Sequence, residues 1–383
     1  MMTNLLNVSL IRNCFGCGVC SAACPKGIIS ISLNHDGFYE PRISETDKCI
    51  NCGICLDVCA FNHHEIALQN TIIQSCAAWS NDDAVRSKCS SGGIGFEIGK
   101  QLIEKGYKAV GCRYDIKEQR AEHFIATTVE EFVQSIGSKY IQSYTEEAFK
   151  QIKRKDEKYL ITGTPCQIDS FRRMIQKFHC ENNFILMDFF CHCVPSMWAW
   201  QAYIKMLEPT IGKVTFASWR NKLNYGWHDN WLMIVKGEFS SIESRRSQGD
   251  LFYKLFLGDI CLGPQCQKQC KYKYDKSSAD IRIGDLWGDT YKDDEKGTSA
   301  LVTFTQQGYD VVKSLTNVTL IEHPFNVVAE GQMRSNAKQK MMAPMVKYLL
   351  RHMVGLENPM FKLVMLMQSA INIASIHIKK FFK

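Results

Sequence analysis

The feature that most constrains this chain is a cysteine pattern that occurs twice. Cys14-Phe-Gly-Cys17-Gly-Val-Cys20-x3-Cys24-Pro25 returns 35 residues later as Cys49-Ile-Asn-Cys52-Gly-Ile-Cys55-x3-Cys59-Ala60. Self-similarity at so short a period marks a duplicated unit. Three thiols spaced C-x2-C-x2-C wrap one corner of a cuboidal iron–sulfur cluster, and the fourth thiol of each motif reaches across to the other cluster. By that crossing, Cys14, Cys17, Cys20 and Cys59 hold one 4Fe-4S cluster, and Cys49, Cys52, Cys55 and Cys24 hold a second. Gly18 and Gly53 recur at the same place in both copies, which predicts a tight turn that brings backbone N–H groups toward the sulfurs. Structural zinc would suit pairs of cysteines but not two sets of four with this spacing. A chain so equipped moves electrons.

The 18 cysteines in 383 residues are not those of a secreted disulfide scaffold, which would be short and would follow an export signal. Cys14 comes too early for such a signal, and no run of about 20 uncharged apolar residues marks a spanning helix. A reducing cytoplasm is expected, where clustered cysteines bind metal. The net charge of +7 is concentrated at one end: residues 331–383 carry nine Lys or Arg against the single acid Glu357, leaving the rest close to neutral. A nucleic-acid reader needs a basic face on its folded body, so no nucleic-acid partner is expected. A basic, amphipathic tail could make peripheral contact with a membrane surface or an acidic partner; a helix packed on the body with a solvated basic face is the favoured reading.

The expected fold is α+β: a ferredoxin-like domain for two 4Fe-4S clusters over residues 1–68, a mixed α/β flavin-binding body in two parts (76–155 and 156–330), and a helical tail over 331–383. Ile28 to Leu33 and Phe38 to Ile43 read as strands flanking an Asp36-Gly37 turn. The body begins with a helix from Gly92 to Lys105, with Ile94, Ile98 and Leu102 at four-residue spacing. Thr128 with Glu131 reads as a capping box. Strands are expected at Ala109–Arg113, Phe124–Thr127, Tyr159–Thr162, Phe184–Phe190, Val214–Trp219, Trp231–Val235, Ile281–Ile283 and Leu301–Thr305. Helices are expected near Pro165–Phe178, Trp198–Leu207 and Tyr309–Leu315. In such a body ligands bind at loops that follow strands.

A second cysteine group, Cys261-x4-Cys266-x3-Cys270, leads into Lys271-Tyr-Lys273. Three thiols need a fourth ligand for a third 4Fe-4S cluster. Cys166 is the first choice, because Thr164 as N-cap, Pro165 and Gln167 form a coherent helix start where a thiol loses its proton easily. Cys191 and Cys193, around His192 at a strand end, compete for that role. Lys88-Cys-Ser90-Ser91-Gly92-Gly93 opens a helix, where free N–H groups suit a phosphate.

Six motifs occurring in order carry a resemblance: Ser90-Ser-Gly-Gly93; Gly137-Ser-Lys139-Tyr140-Ile-Gln142-Ser143; Gly163-Thr-Pro-Cys166-Gln167; Cys191-His192 with Val194-Pro195-Ser196; Ser218-Trp-Arg220-Asn-Lys222 with Tyr225-Gly226-Trp227; and Ile283-Gly-Asp285-Leu-Trp287-Gly288. Together they resemble the family of coenzyme F-420 hydrogenase/dehydrogenase β-subunits, from the ferredoxin-like start to about residue 290. The resemblance implies FAD phosphates at Ser90, Ser91, Gly92 and Gly93. It also implies flavin or substrate contacts at Lys139, Tyr140 and Arg220, with Lys139 and His192 as candidate catalytic groups. The implied function is that of an FAD-dependent iron–sulfur oxidoreductase. Electrons would pass between the clusters, FAD and a small organic substrate or deazaflavin coenzyme, with ferredoxin or another redox protein as donor or acceptor. The alternative is an electron-relay component of a larger hydrogenase or dehydrogenase complex, with no substrate of its own.

Overall fold

The computed structural model describes residues 6–11, 14–69, 71–222, 224–228 and 231–381, with the side chains of 376–381 excepted. The terminal Phe382-Lys383 of the expected basic ending lies outside the described residues. In chain order the strands are β1 (Ile29–Leu33), β2 (Tyr39–Ile43), β3 (Gln74–Ser80), β4 (Lys108–Asp115), β5 (Arg120–Ala126), β6 (Ser143–Tyr144), β7 (Tyr159–Thr162), β8 (Phe184–Phe189), β9 (Val214–Ser218), β10 (Leu232–Gly237), β11 (Ser241–Arg245), β12 (Ile281–Asp285), β13 (Ser299–Thr303) and β14 (Val318–Glu322).

β1 and β2 pair antiparallel, Ile29 facing Ile43 and Leu33 facing Tyr39. Asn34 shapes their turn: its Oδ1 accepts from the N–H groups of Asp36 and Phe38. The tip is pinned to the body, where Ser196 Oγ donates to Asp36 O at 2.6 Å and Trp198 Nε1 donates to His35 O at 3.0 Å.

The body is one nine-stranded mixed sheet ordered β14-β3-β13-β12-β8-β7-β4-β5-β6, so residues 76–155 and 156–330 share a single sheet. β4, β7, β8 and β12 run parallel in its centre. Alternation along them separates two cores, as the two-residue period of a strand requires. Phe184 and Leu186 point to the side holding the helix Pro165–Lys177, against which the cysteine-rich domain also packs. Ile185 and Met187 point to the side holding the helix Ile94–Glu104. A third core joins the helix Met197–Ile211, the small sheet β9–β11, the helix Leu251–Phe256 and the tail helix Ala343–Arg351 around Trp200 and Trp219.

Both expected capping boxes are present, Thr128 with Glu131 and Thr164 with Gln167. β3, β6, β11 and β14 have no counterpart among the expected strands. β3 is buried on nearly every position and uses Ser, Ala and Cys, so it has neither the alternation nor the branched side chains by which a strand is recognised. A buried ion pair staples the sheet centre: Arg282 Nε and Nη2 each donate to Asp188 at 2.7 Å, with neither side chain exposed.

Candidate functional site

The two cysteine motifs fold alike because their backbones demand the same conformations. Gly16 and Asn51 have φ of +71° and +52°, and Gly18 and Gly53 have +76° and +73°. That left-handed geometry turns N–H groups inward: Gly16 N–H donates to Cys14 Sγ at 3.2 Å, and those of Val19, Val8 and of Phe61 with Asn62 point at Cys17, Cys55 and Cys59. Cys14, Cys17, Cys20 and Cys59 line one cavity. Cys24, Cys49, Cys52 and Cys55 line another. Each cavity is thus faced by three thiols of one motif and the fourth of the other.

The thiols surround volumes and not points: among the described residues no three His, Cys, Asp or Glu side chains close on a single ion. Four sulfurs held apart at the corners of a cavity, with N–H groups aimed at them, form a donor set that fits a cuboidal cluster. Burial pushes the Cys14, Cys17 and Cys20 thiols up, so these thiols hold protons that cationic iron must displace.

The two cavities differ in their surroundings. A Cβ on Gly18 would meet Thr145 Oγ1 of the body at 2.1 Å, whereas one on Gly53 would meet nothing within 4 Å. Ser170 on the helix Pro165–Lys177 lies 3.3 Å from Cys17 Sγ, and Gln142 bridges the backbones of Phe15 and Tyr39. Cys52 in the second set is exposed. The first set is therefore the inner one and the second the outer.

A further cysteine group lies on the inner side. Cys166 interacts electrostatically with Cys266, Cys191 and Cys17, so this group adjoins the first set. Cys191 in turn neighbours Cys266 and Cys270. The Cys193 thiol donates toward Cys266 and holds the Cys266 thiol below its ordinary value. Lys273 is buried at the centre, donating to the carbonyls of Cys191 at 2.7 Å and His192 at 2.6 Å. Cys261, expected in this group, sits elsewhere: it is fully buried in the aromatic core, with Lys347 and Asp259 as its strongest charged neighbours. Cys191, just past the end of β8, stands beside Cys266 and Cys270 because the segment after β8 pairs with the segment before them: Ser196 N–H donates to Cys261 O and Gly263 N–H to Val194 O, with Pro195 bridged to Leu262. His192 Nε2 is paired with Asp259 at 2.8 Å, and the Phe256 ring contacts both His192 and Tyr140. The His192 ring is thus held by Asp259 and Phe256, and the Phe256 ring joins it to Tyr140.

The remaining candidates converge from distant segments. Ser138 N–H and Oγ both bond Ser90 Oγ, at 2.9 and 3.0 Å. Arg220 Nη2 reaches Ser90 O at 3.5 Å and, with Nη1, grips Asp285 at 3.1 Å. Tyr140 hydrogen-bonds Arg220 and stacks on Trp231 at 5.7 Å. The guanidinium lies 4.5 Å from the Trp231 ring and 4.7 Å from Trp287. Arg220 is fully buried at a φ of +59°, a left-handed conformation that costs a non-glycine residue roughly 1–3 kcal/mol, and its Nε finds no partner among the described residues. Strain and an orphaned donor at a buried cation mark a place built for something other than stability.

Gly92 cannot carry a side chain, since a Cβ would meet Ala78 O at 2.4 Å, and Gly93 is left-handed at +87°. Gly93 caps the helix Ile94–Glu104 without any side-chain bond, leaving first-turn N–H groups for an anion. Ser91 Oγ donates instead to Thr298 O. Lys139 turns its ammonium onto the carbonyls of Gln134, Ser135 and Ile136, and burial lowers its pKa to about 8. Lys222, Asp285, Trp231 and Trp287 were not singled out from sequence. Three of them, Lys222, Asp285 and Trp287, stand inside motifs quoted above, so position within the motifs was the available signal.

Comparison with known proteins agrees with this architecture. Residues 75–150 match the family model for the N-terminal part of the coenzyme F420 hydrogenase/dehydrogenase beta subunit, residues 156–324 match the model for its C-terminal part, and residues 13–63 match a 4Fe-4S dicluster domain. Curated relatives include one of the subunits of the F(420)H(2) dehydrogenase of Methanosarcina mazei, 25% identical over 244 residues, covering 60% of this chain and 66% of the relative. The coenzyme F420-dependent sulfite reductase of Methanocaldococcus jannaschii is 22% identical over 166 residues, 42% of this chain and 25% of that one. The chain thus spans less than two thirds of the length of these relatives. A chain from the F420-reducing NiFe hydrogenase complex of Methanosarcina barkeri aligns over 76% of this chain and 91% of its own length, at 16% identity and a TM-score of 0.46.

Proposed function

Because this chain belongs to the family of coenzyme F420 hydrogenase/dehydrogenase β-subunits and carries a 4Fe-4S dicluster domain, we propose that it is a flavin-dependent iron–sulfur oxidoreductase acting on a small organic substrate or deazaflavin coenzyme. The observation that carries this reading is convergence. Ser90, Tyr140 and Arg220, separated by up to 130 residues, meet around the buried Arg220 guanidinium.

In this reading Cys24, Cys49, Cys52 and Cys55 hold the outer cluster, where a redox protein such as ferredoxin would exchange electrons. Cys14, Cys17, Cys20 and Cys59 hold the inner one. Cys166, Cys191, Cys266 and Cys270 are the proposed ligands of a third, with Cys193 hydrogen-bonded beside them. The buried Lys273 offsets the negative charge of that thiolate set, which favours its reduced form. FAD would be held by the Ser90–Gly93 turn at the open helix end, with Arg220 as its cationic neighbour. When bound, it supplies the exchange between single electrons and two-electron chemistry.

The chain's own residues do the positioning. Asp285, bidentate to Arg220 and also accepting from Trp227 Nε1 at 3.1 Å, fixes the guanidinium plane. Lys222 donates to the carbonyls of Arg86, Ser91 and Lys296, locking the Ser90–Gly93 turn in place. Lys139 with a pKa near 8 is poised to hold or release a proton close to neutral pH.

Anaerobic purification followed by iron, sulfide and released-flavin quantitation tests this. About 12 irons and one flavin per chain are expected, four irons to a cluster, whereas about 8 would leave the dicluster domain alone. Clusters without flavin would overturn the enzyme reading in favour of an electron-relay component, for which the occupied Ser91 and Lys139 side chains already give some ground.

A further inference from the structure

The C-terminal helix Pro359–Phe381 has two apolar faces, and only one is covered. Phe361 and Val364 pack into the aromatic core beside Val346 and Leu349 of the preceding helix. On the opposite side, Met360, Leu363, Leu366, Met367 and Ile373 recur at the three-to-four-residue spacing of a helical stripe and are 47–67% exposed. An apolar stripe of this length is unusual on a solvated surface.

The charge pattern indicates what covers it. Residues 359–383 contain Lys362, Lys379, Lys380 and Lys383 and no Asp or Glu. A second copy of the chain would bring the same acid-free, cationic stripe, and its lysines would oppose these. An anionic lipid interface supplies both an apolar layer for the leucines and methionines and a dense negative lattice for the lysines. Its fluid packing also suits flexible Met and Leu side chains that display no pocket or polar register. No helix among the described residues is long and apolar enough to cross a membrane, so the geometry is that of lying on the surface. At 1.5 Å per residue, 23 residues lie flat over about 34 Å.

We propose that this helix docks the protein on an anionic membrane surface, its Leu363–Leu366 stripe entering the headgroup boundary and the net positive charge of the acid-free segment 359–383 supplying the attraction to anionic lipid. The docked face is independent of the cofactors, so the proposal does not stand or fall with the redox chemistry above.

The test is co-sedimentation of the full chain, purified anaerobically, with vesicles of phosphatidylcholine alone or mixed with phosphatidylglycerol. Binding to the mixed vesicles only, weakened by high salt, is expected. Leu363→Glu with Leu366→Glu should lower the partition coefficient at least about tenfold, given the apolar area each leucine would lose, and Lys379→Gln with Lys380→Gln should weaken binding and flatten its salt dependence. Both positions of the leucine pair are exposed, so cluster absorbance and far-ultraviolet circular dichroism should not change. Equal binding to neutral vesicles, undiminished binding by the glutamate variant, or no vesicle binding with either a discrete dimer or a monomer in light scattering would each overturn the proposal.

Discussion

Replacing Asp188 with Ala should be among the most damaging single changes outside the cysteines. The carboxylate receives two 2.7 Å bonds from Arg282 and a third from Ser277 Oγ, with neither partner of the ion pair exposed. Two of the three remaining guanidinium N–H donors already serve the carbonyls of Tyr274 and Lys276, and the group is fully buried, so a lone Arg282 could neither turn to water nor find another anion. Breaking a buried pair in this way costs about 3–5 kcal/mol. At roughly 2–4 °C per kcal/mol for a body of this size, the melting temperature should fall by about 6–20 °C. Burial pushes the Asp188 carboxyl up even against Arg282, meaning that the pair is expensive to bury. Asp188→Leu combined with Arg282→Met should therefore recover most of the loss. Because β8 and β12 run on to Cys191 and Asp285, the single variant should also retain less iron. Urea or thermal unfolding by circular dichroism measures the effect. A loss below about 1 kcal/mol, or a double variant as unstable as the single one, would refute the claim that this pair is closed off from water.

Three other outcomes are expected. Cys191→Ala should lower the iron content by about four per chain, while Cys261→Ala, in the aromatic core, should leave it unchanged; the reverse would restore the grouping expected from sequence spacing. Ser170→Ala removes the hydroxyl next to Cys17 Sγ and should lower the inner cluster's reduction potential by roughly 50 mV, the equivalent of about 1 kcal/mol for one electron, as read by redox titration with electron paramagnetic resonance. His123 is buried with its pKa lowered to about 4, so the unfolded chain binds more protons between that pH and its ordinary value of 6.5, and stability should fall as pH drops through this window. The loss is about 3 kcal/mol, and in His123→Phe the difference between unfolding free energies at the two ends should shrink by about that amount.

The grouping of the amino-terminal thiols was legible in the chain because its signals are local. The crossed sorting of the eight amino-terminal thiols follows from motif spacing, and the same sorting faces the two cavities. Thr164, Pro165 and Gln167 announce a helix start that forms as such. Arg220, by contrast, was read from its motif company alone. Its left-handed backbone and unpartnered Nε arise from packing between Trp231 and Trp287, which no local pattern encodes. β3 was missed for the same reason: a strand buried on both faces loses the alternation that advertises strands.

Covalent spacing by itself determined that iron and sulfide clusters are held at the amino terminus, since ligands a few residues apart reach a cluster whatever the remainder of the chain does. Only tertiary structure decided which thiol set lies inward, that Cys191 neighbours Cys266 and Cys270 while Cys261 is buried in the aromatic core, and where Arg220 points. Those relations join residues tens to hundreds of positions apart, and they depend on the sheet, on the pairing of the 194–196 and 261–263 segments and on the packing of the cysteine-rich domain against the helix Pro165–Lys177, which burial of opposed cores selects.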